Sequence, residues 1–309
     1  MKIYHVTTFA VSPEIRQHII NIVNLENAMG YNSQWEQSSA DFLSEGRKTC
    51  DFVHIHGFPV AEYAIKTMTL IKNLKLNKIK FVVSMYDYSA ICRTSIMRSS
   101  CSPSSCPNKD CQKSRGVFAF LKEVPIFVYS EVSKQIFSDN GFQDIVLQPV
   151  NYYGALENFP VPNYDDEVTN RVGIFNINSL FDLEMSFYNK IKQEPGLRVY
   201  TLDYFKKFET NFVLDYKKWP SSFPIETGYS LAHGVPVIAN TKYASREYNG
   251  MGLNLFDLDD EEHYRKAVDM MKSNQSFEIH RLIAHDFWKH HGPDKCVAWY
   301  EASYRDLLK

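Results

Sequence analysis

Asp87 is the residue of this sequence best placed to do chemistry. It closes the run Phe81-Val82-Val83-Ser84-Met85-Tyr86-Asp87, which reads as a buried strand, and open α/β sheets place their ligands at the carboxyl ends of strands. A carboxylate there can bond a substrate hydroxyl or accept its proton; it can also close a turn by bonding local backbone. Tyr86 and Tyr88 flank it and would line the same site. His56 stands at the matching end of the run Asp51-Phe52-Val53-His54-Ile55-His56, where its imidazole could bond a substrate or cap the helix that follows. His233 and the pair His290-His291 have no partners at metal-ligand spacing and read as structural.

Four of the six cysteines, Cys92, Cys101, Cys106 and Cys111, fall in one segment with eight, four and four residues between them, and Pro103 and Pro107 bend the chain there. Thiolates at this density can hold one structural Zn²⁺; free thiols and disulfides are the other readings. Cys50 and Cys296 read as lone, buried residues. The same segment carries Arg93, Arg98, Lys109, Lys113 and Arg115, and across residues 60–122 eleven Lys and Arg face three acids. That excess can attract an anionic partner such as DNA or an acidic lipid surface, or be a solvated face. It is local, because the formal charge of the whole chain is -2.

These residues need a scaffold, and 309 residues with 44% hydrophobic and 23% charged content suffice for two domains. Short runs rich in Val, Ile, Phe and Tyr predict buried parallel strands near 2–8, 33–38, 51–56, 79–86 and 125–130, then near 171–176, 197–202, 211–215, 235–239 and 253–256. Helical patterns alternate with them over 13–29, 59–75, 131–139, 182–194, 225–233 and 259–273. The stretch Asn151 to Asn170, with Pro160, Pro162 and Asp165-Asp166-Glu167, has no period and reads as a linker. No Gly-x-Gly-x-x-Gly follows a strand, which argues against a dehydrogenase. No run of 18 apolar residues occurs and Met1 leads directly into a strand pattern, so a soluble cytoplasmic protein is expected.

The segment Phe223-Pro224-Ile225-Glu226-Thr227-Gly228-Tyr229-Ser230-Leu231-Ala232-His233-Gly234-Val235-Pro236-Val237-Ile238-Ala239 resembles the donor-site helix and following strand of the retaining GT-B glycosyltransferases. The similarity continues through Arg246-Glu247, Gly250-Met251-Gly252-Leu253-Asn254-Leu255-Phe256 and Asp259-Asp260-Glu261. It includes the strand ends at His56 and Asp87, and a closing helix over 294–308 after Asp286-Phe287-Trp288.

The resemblance implies an α/β GT-B architecture of two Rossmann-like domains facing a central cleft. Residues 1–155 would take the acceptor, 156–170 would link, 171–290 would take the nucleotide-sugar donor, and 291–309 would cross back to the first domain. It implies a UDP-sugar donor, a departing phosphate that helps deprotonate the acceptor, and no catalytic metal. Asp87 matches the Asp of the family's His-Asp pair, with Tyr86 in place of the His. Where the family carries two donor-helix glutamates this chain has Ser221, beside Ser222, and Tyr229; Glu226 lies between them, and Glu247 matches the glutamate before the glycine turn. The family's diphosphate cations follow the first strand of the second domain, where Asn176 stands here; Arg16 and the amino end of helix 13–29 are the substitute. Such enzymes include those of T-even phages that glucosylate hydroxymethylcytosine in DNA. Hydroxymethylated DNA is the expected acceptor. A lipid or polysaccharide reached through Lys72, Lys75, Lys78 and Lys80, and a non-catalytic binding module, are the alternatives.

Overall fold

The computed structural model describes residues 1–37, 50–58, 62–91, 119–150, 170–175, 182–202, 210–217, 221–244, 246–273 and 277–309. Asn176 and the whole segment holding Cys92, Arg93, Arg98, Cys101, Cys106, Lys109, Cys111, Lys113 and Arg115 lie outside them. The chain divides into two compact units, Met1–Asn151 with Pro293–Lys309, and Tyr152–Gly292.

The first unit is built on a six-stranded parallel sheet in the order β2-β1-β3-β4-β5-β6. Its strands are β1 (Lys2–Thr7), β2 (Asn32–Gln37), β3 (Phe52–His56), β4 (Lys80–Ser84), β5 (Ile126–Val128) and β6 (Ile145–Leu147). The helices are α1 (Pro13–Ala28), α2 (Glu62–Leu76), α3 (Glu131–Asp139) and, from the end of the chain, α8 (Pro293–Leu308).

Both faces of the central strands are covered, which is why β3 is buried at every position and reads as an unbroken run. Because side chains alternate along a strand, each face takes every second residue. Tyr4, Val6, Val53, Ile55, Val83 and Met85 fill the core on one face. On the other, Ile3, Phe52, Val82 and Phe127 pack with Tyr300 and Tyr304 of α8. Each such fully buried side chain stabilises the fold by about 1.5–3 kcal/mol. Farther along this second face, toward the carboxyl ends, the inward residues turn polar: His5, His54, His56 and Ser84.

α1 starts at Pro13 after Ser12, whose Oγ accepts the Ile15 N–H at 3.4 Å. Its buried positions His18, Ile19, Ile22, Leu25 and Glu26 recur every three or four residues; Ile22 joins the apolar cluster of this face and Glu26 reaches the polar half at His5.

The second unit has a five-stranded parallel sheet in the order β11-β10-β9-β7-β8. Its strands are β7 (Arg171–Phe175), β8 (Arg198–Leu202), β9 (Phe212–Asp215), β10 (Val237–Asn240) and β11 (Leu253–Phe256). Its helices are α4 (Asp182–Lys192), α5 (Ile225–Ala232), α6 (Glu261–Lys272) and α7 (Phe277–His291). Gly234 links α5 to β10 at φ 78°, with its position backed directly against the His280 carbonyl of α7. No helix among the described residues is long and apolar enough to cross a membrane.

Two elements went unread in the sequence, β6 and α7. The exposed lysines Lys72, Lys75, Lys78 and Lys80 lie at the end of α2 and the start of β4, the opposite edge of the sheet from Asp87.

Candidate functional site

Where the polar half of the first sheet meets α1 and α8, the buried side chains form one hydrogen-bonded network. Glu26 of α1 accepts from Ser33 at 2.5 Å and bonds His5 Nε2 at 2.7 Å. His5 Nδ1 meets His56 Nε2 at 2.8 Å, and His56 Nδ1 meets the Tyr86 hydroxyl at 2.6 Å. A second branch joins Tyr129 to Ser84 at 2.6 Å, Ser84 to His54 Nε2 at 2.6 Å, and His54 Nδ1 to the Tyr304 hydroxyl at 2.8 Å. The rings of His54 and His56 stack with centroids 3.9 Å apart. His5, His54 and His56 are all 0% exposed.

The ring nitrogens set the order of the first branch: a neutral His5 that donates from Nε2 to Glu26 accepts at Nδ1 from His56 Nε2, and His56 Nδ1 then accepts the Tyr86 O–H. Burial pushes the His54 and His56 imidazoles well below the ordinary range, and the neighbouring histidine rings add to the effect. Both rings are therefore neutral. Burial likewise holds the Tyr86 phenol well above its ordinary value.

This network revises three expectations. His56 does not face a substrate, because both its ring nitrogens are engaged inside the sheet. Tyr86 is 6% exposed and turns its hydroxyl inward to His56. Tyr88 is 1% exposed and stacks on Phe137 in the opposite core. Asp87, in contrast, is exposed just past the carboxyl end of β4. Its Oδ1 accepts the Ser89 N–H at 2.8 Å, a local turn bond. Crowding by surrounding protein raises its pKa and the Ser89 bonds oppose that rise. Arg16 is exposed on the first turn of α1 with its guanidinium 5.2 Å from the Trp35 ring centre.

In the second unit the corresponding strand ends carry a charge cluster that the sequence did not announce. Lys217, just past β9, reaches Glu226 Oε2 at 3.1 Å and Asp215 Oδ1 at 3.5 Å, and Thr227 donates to Asp215 Oδ2 at 2.6 Å. Burial depresses the Lys217 ammonium, but the Asp215 and Glu226 carboxylates outweigh it and the net shift is upward. Glu226 is thus not a free surface carboxylate; it is half-buried and its Oε2 is tied to Lys217 at the first turn of α5.

Tyr229 is enclosed, its ring edge-on to Phe175 and tilted against His233. Ser221 is buried and donates its N–H to the Tyr243 carbonyl, Ser222 beside it is half-buried, and Glu247 sits half-buried in a single helical turn, Arg246–Tyr248. Only a histidine pattern or a lysine after a buried strand could have signalled these clusters in advance. Among the described residues, the group whose ligating atoms could hold a metal is His5, His54 and His56.

Solved structures match this arrangement over the entire chain. A glycosyltransferase from Rickettsia africae superposes with a TM-score of 0.66 over 100% of this chain and 98% of its own, at 12% identity. The chain has the GT-B glycosyltransferase fold. The Anabaena protein HepE, solved with UDP and glucose, matches this GT-B chain with a TM-score of 0.63 over 99% of each, at 9% identity. An alpha-glucosyltransferase solved with UDP and a 13-mer DNA containing a central A:G mismatch matches with a TM-score of 0.58 over 100% of each, at 12% identity. At these identities the likeness is one of fold. No protein-family model and no curated protein matches the sequence.

Proposed function

We propose that the chain is a retaining glycosyltransferase that moves a sugar from a UDP-sugar to a hydroxyl of an anionic acceptor, with a hydroxymethylated base in DNA as that acceptor. The observation that carries this reading is the whole-chain likeness to glycosyltransferases solved with UDP, one of them also with DNA. The eleven Lys and Arg of residues 60–122, against three acids, support the polyanionic acceptor. In this reading the first unit takes the acceptor and the second takes the donor. Asp87 contacts the reacting sugar or the acceptor hydroxyl, and Arg16 with the amino end of α1 offsets charge on the diphosphate. Arg93, Arg98, Lys109, Lys113 and Arg115 hold the acceptor backbone, and Asn176 lines the donor. Cys92, Cys101, Cys106 and Cys111 bind a structural zinc.

Chemically, the sugar's anomeric carbon loses the diphosphate oxygen with its electron pair and gains the acceptor oxygen, whose proton passes to the departing phosphate. A preorganised, water-poor site lowers that barrier by stabilising the leaving charge.

A second reading, a binding module without turnover, draws on the Asp215–Lys217–Glu226 cluster. Among the described residues there, two carboxylates surround one ammonium, where a diphosphate needs cations. Nucleotide release from UDP-, GDP- and dTDP-sugars, measured with and without acceptor, separates the two. The enzyme reading expects release from UDP-sugar and a fall of at least about 100-fold in Asp87→Asn. Release unaffected by Asp87→Asn would remove Asp87 from the site, and absence of nucleotide binding would leave the module.

A further inference from the structure

The buried histidines of the first unit form a constellation that glycosyl transfer does not use. His54 and His56 alternate on β3, so both side chains leave the same face, and parallel pairing sets His5 of β1 opposite His54. Two histidines at i and i+2 of a strand and a third on its neighbour present imidazoles to one point, and all their ligating atoms lie within 4.8 Å of one another. We propose that His5, His54 and His56 form a binding site for a divalent transition-metal cation, best suited to Zn²⁺, that ties β1 to β3 beneath α1.

The surroundings meet the needs of such a site. A metal-bound histidine usually gives its other ring N–H to a carboxylate or other acceptor, which fixes the ring. His5 has this arrangement already: Nε2 bonds Glu26 at 2.7 Å, leaving Nδ1 to face inward. On His56 the outer nitrogen, Nδ1, has the Tyr86 hydroxyl at 2.6 Å and the inner, Nε2, faces His5. His54 has a hydroxyl at each nitrogen, Tyr304 and Ser84, so either can serve as the outer partner. Glu26 is itself buried, and its carboxylate acts on the Tyr304 phenol by charge and hydrogen bonding, so it anchors both ends of the cluster.

Imidazole suits zinc, copper and nickel, and with all three side chains 0% exposed an ion there would be shut off from bulk solvent. Zinc–imidazole bonds of about 2.0–2.1 Å put neighbouring nitrogens about 3.3 Å apart in a tetrahedron. The inward nitrogens of His5 and His56 are 2.8 Å apart, so the pair opens by about half an ångström to admit the ion. No proton need leave the protein on binding: the His56 proton moves from Nε2 to Nδ1, where the Tyr86 oxygen accepts it, and the Tyr86 O–H turns from His56 toward the Tyr129 hydroxyl, 3.5 Å away.

The proposal does not depend on the glycosyltransferase reading. Its test uses the full chain with Cys92→Ser, Cys101→Ser, Cys106→Ser and Cys111→Ser, so that thiolates cannot supply the ion. Zinc is added, excess removed by dialysis, metal content measured, and the ligands identified by X-ray absorption. One zinc per chain with imidazole ligands is expected, with a rise in unfolding midpoint of at least about 5 °C. His54→Gln and His56→Gln should retain the helical circular dichroism and lose the ion. If those variants fail to fold, the absorption spectrum of the parent decides alone. A folded parent that retains no zinc, or zinc without imidazole ligands, would overturn the proposal. So would ¹⁵N resonances showing the His5–His56 hydrogen bond intact in zinc-saturated protein.

Discussion

Replacing Gly234 by alanine tests the packing that supports the second unit's α5–β10 connection. Gly234 adopts φ 78°, and a Cβ placed there would lie 2.3 Å from the His280 carbonyl oxygen of α7. Two penalties add. Left-handed backbone costs a residue with a Cβ about 1–2 kcal/mol. Relieving the clash requires α7 to move off the turn, which endangers the His280 Nδ1 bond to the Gly234 carbonyl, 2.7 Å in the native fold. Leaving those buried groups unpaired costs about 1–3 kcal/mol more. Gly234→Ala should therefore destabilise the unit by about 2–5 kcal/mol.

Gly250 is the internal control. Its φ is 83°, yet nothing lies within 4 Å of a Cβ there, so Gly250→Ala should cost only the backbone part, about 1–2 kcal/mol. Urea unfolding followed by circular dichroism at equal slope compares the two variants directly. Equal losses for both would show that backbone handedness alone matters and that the α7 contact contributes nothing.

Glu26→Ala leaves His5 and Ser33 buried without their acceptor and should cost the first unit about 3–5 kcal/mol by urea unfolding; a loss under about 1 kcal/mol would mean the network is solvated. Acid should destabilise the same unit in the metal-free chain. The folded pKa values of His54 and His56 are depressed, so below about pH 6.5 the unfolded chain binds protons that the folded chain refuses. Stability is full above that pH and falls by about 2–3 kcal/mol between pH 7.5 and 5.5, whereas a flat urea midpoint over that range would contradict burial of neutral rings. If Arg93, Arg98, Lys109, Lys113 and Arg115 all contact phosphates, DNA affinity should drop about 500-fold from 50 to 200 mM salt; a salt-independent affinity would remove them from the interface.

Much of the scaffold was legible because fully buried parallel strands announce themselves. Phe52 to His56 and Phe81 to Ser84 are unbroken apolar or half-polar runs bounded by turn residues, and the helices between them carry clear three- and four-residue spacing. β6, Ile145–Leu147, escaped because three residues on a sheet edge give no period to detect. α7 escaped because its last turn, Lys289-His290-His291, and its many polar positions mask the apolar face that holds Ala284 and Phe287.

The site was less legible for a different reason. Spacing shows which strand end a residue occupies but not whether its side chain turns inward. His56 and Tyr86 stand at strand ends and still face the interior, joined through His5 to Glu26 of α1, a glutamate 30 residues upstream of His56 in sequence. Lys217 was passed over because its two carboxylate partners come from a strand end and a helix turn that only folding brings together.

The mass of the DNA after incubation tests most directly the proposed transfer of sugar from a UDP-sugar to hydroxymethylated DNA. A duplex containing hydroxymethylated bases, mixed with the protein and a UDP-sugar, should gain one sugar residue per modified base, with equimolar UDP released and an unmodified duplex unchanged. UDP released with no gain in DNA mass would contradict the acceptor, and neither UDP release nor UDP binding under any condition would contradict the enzyme.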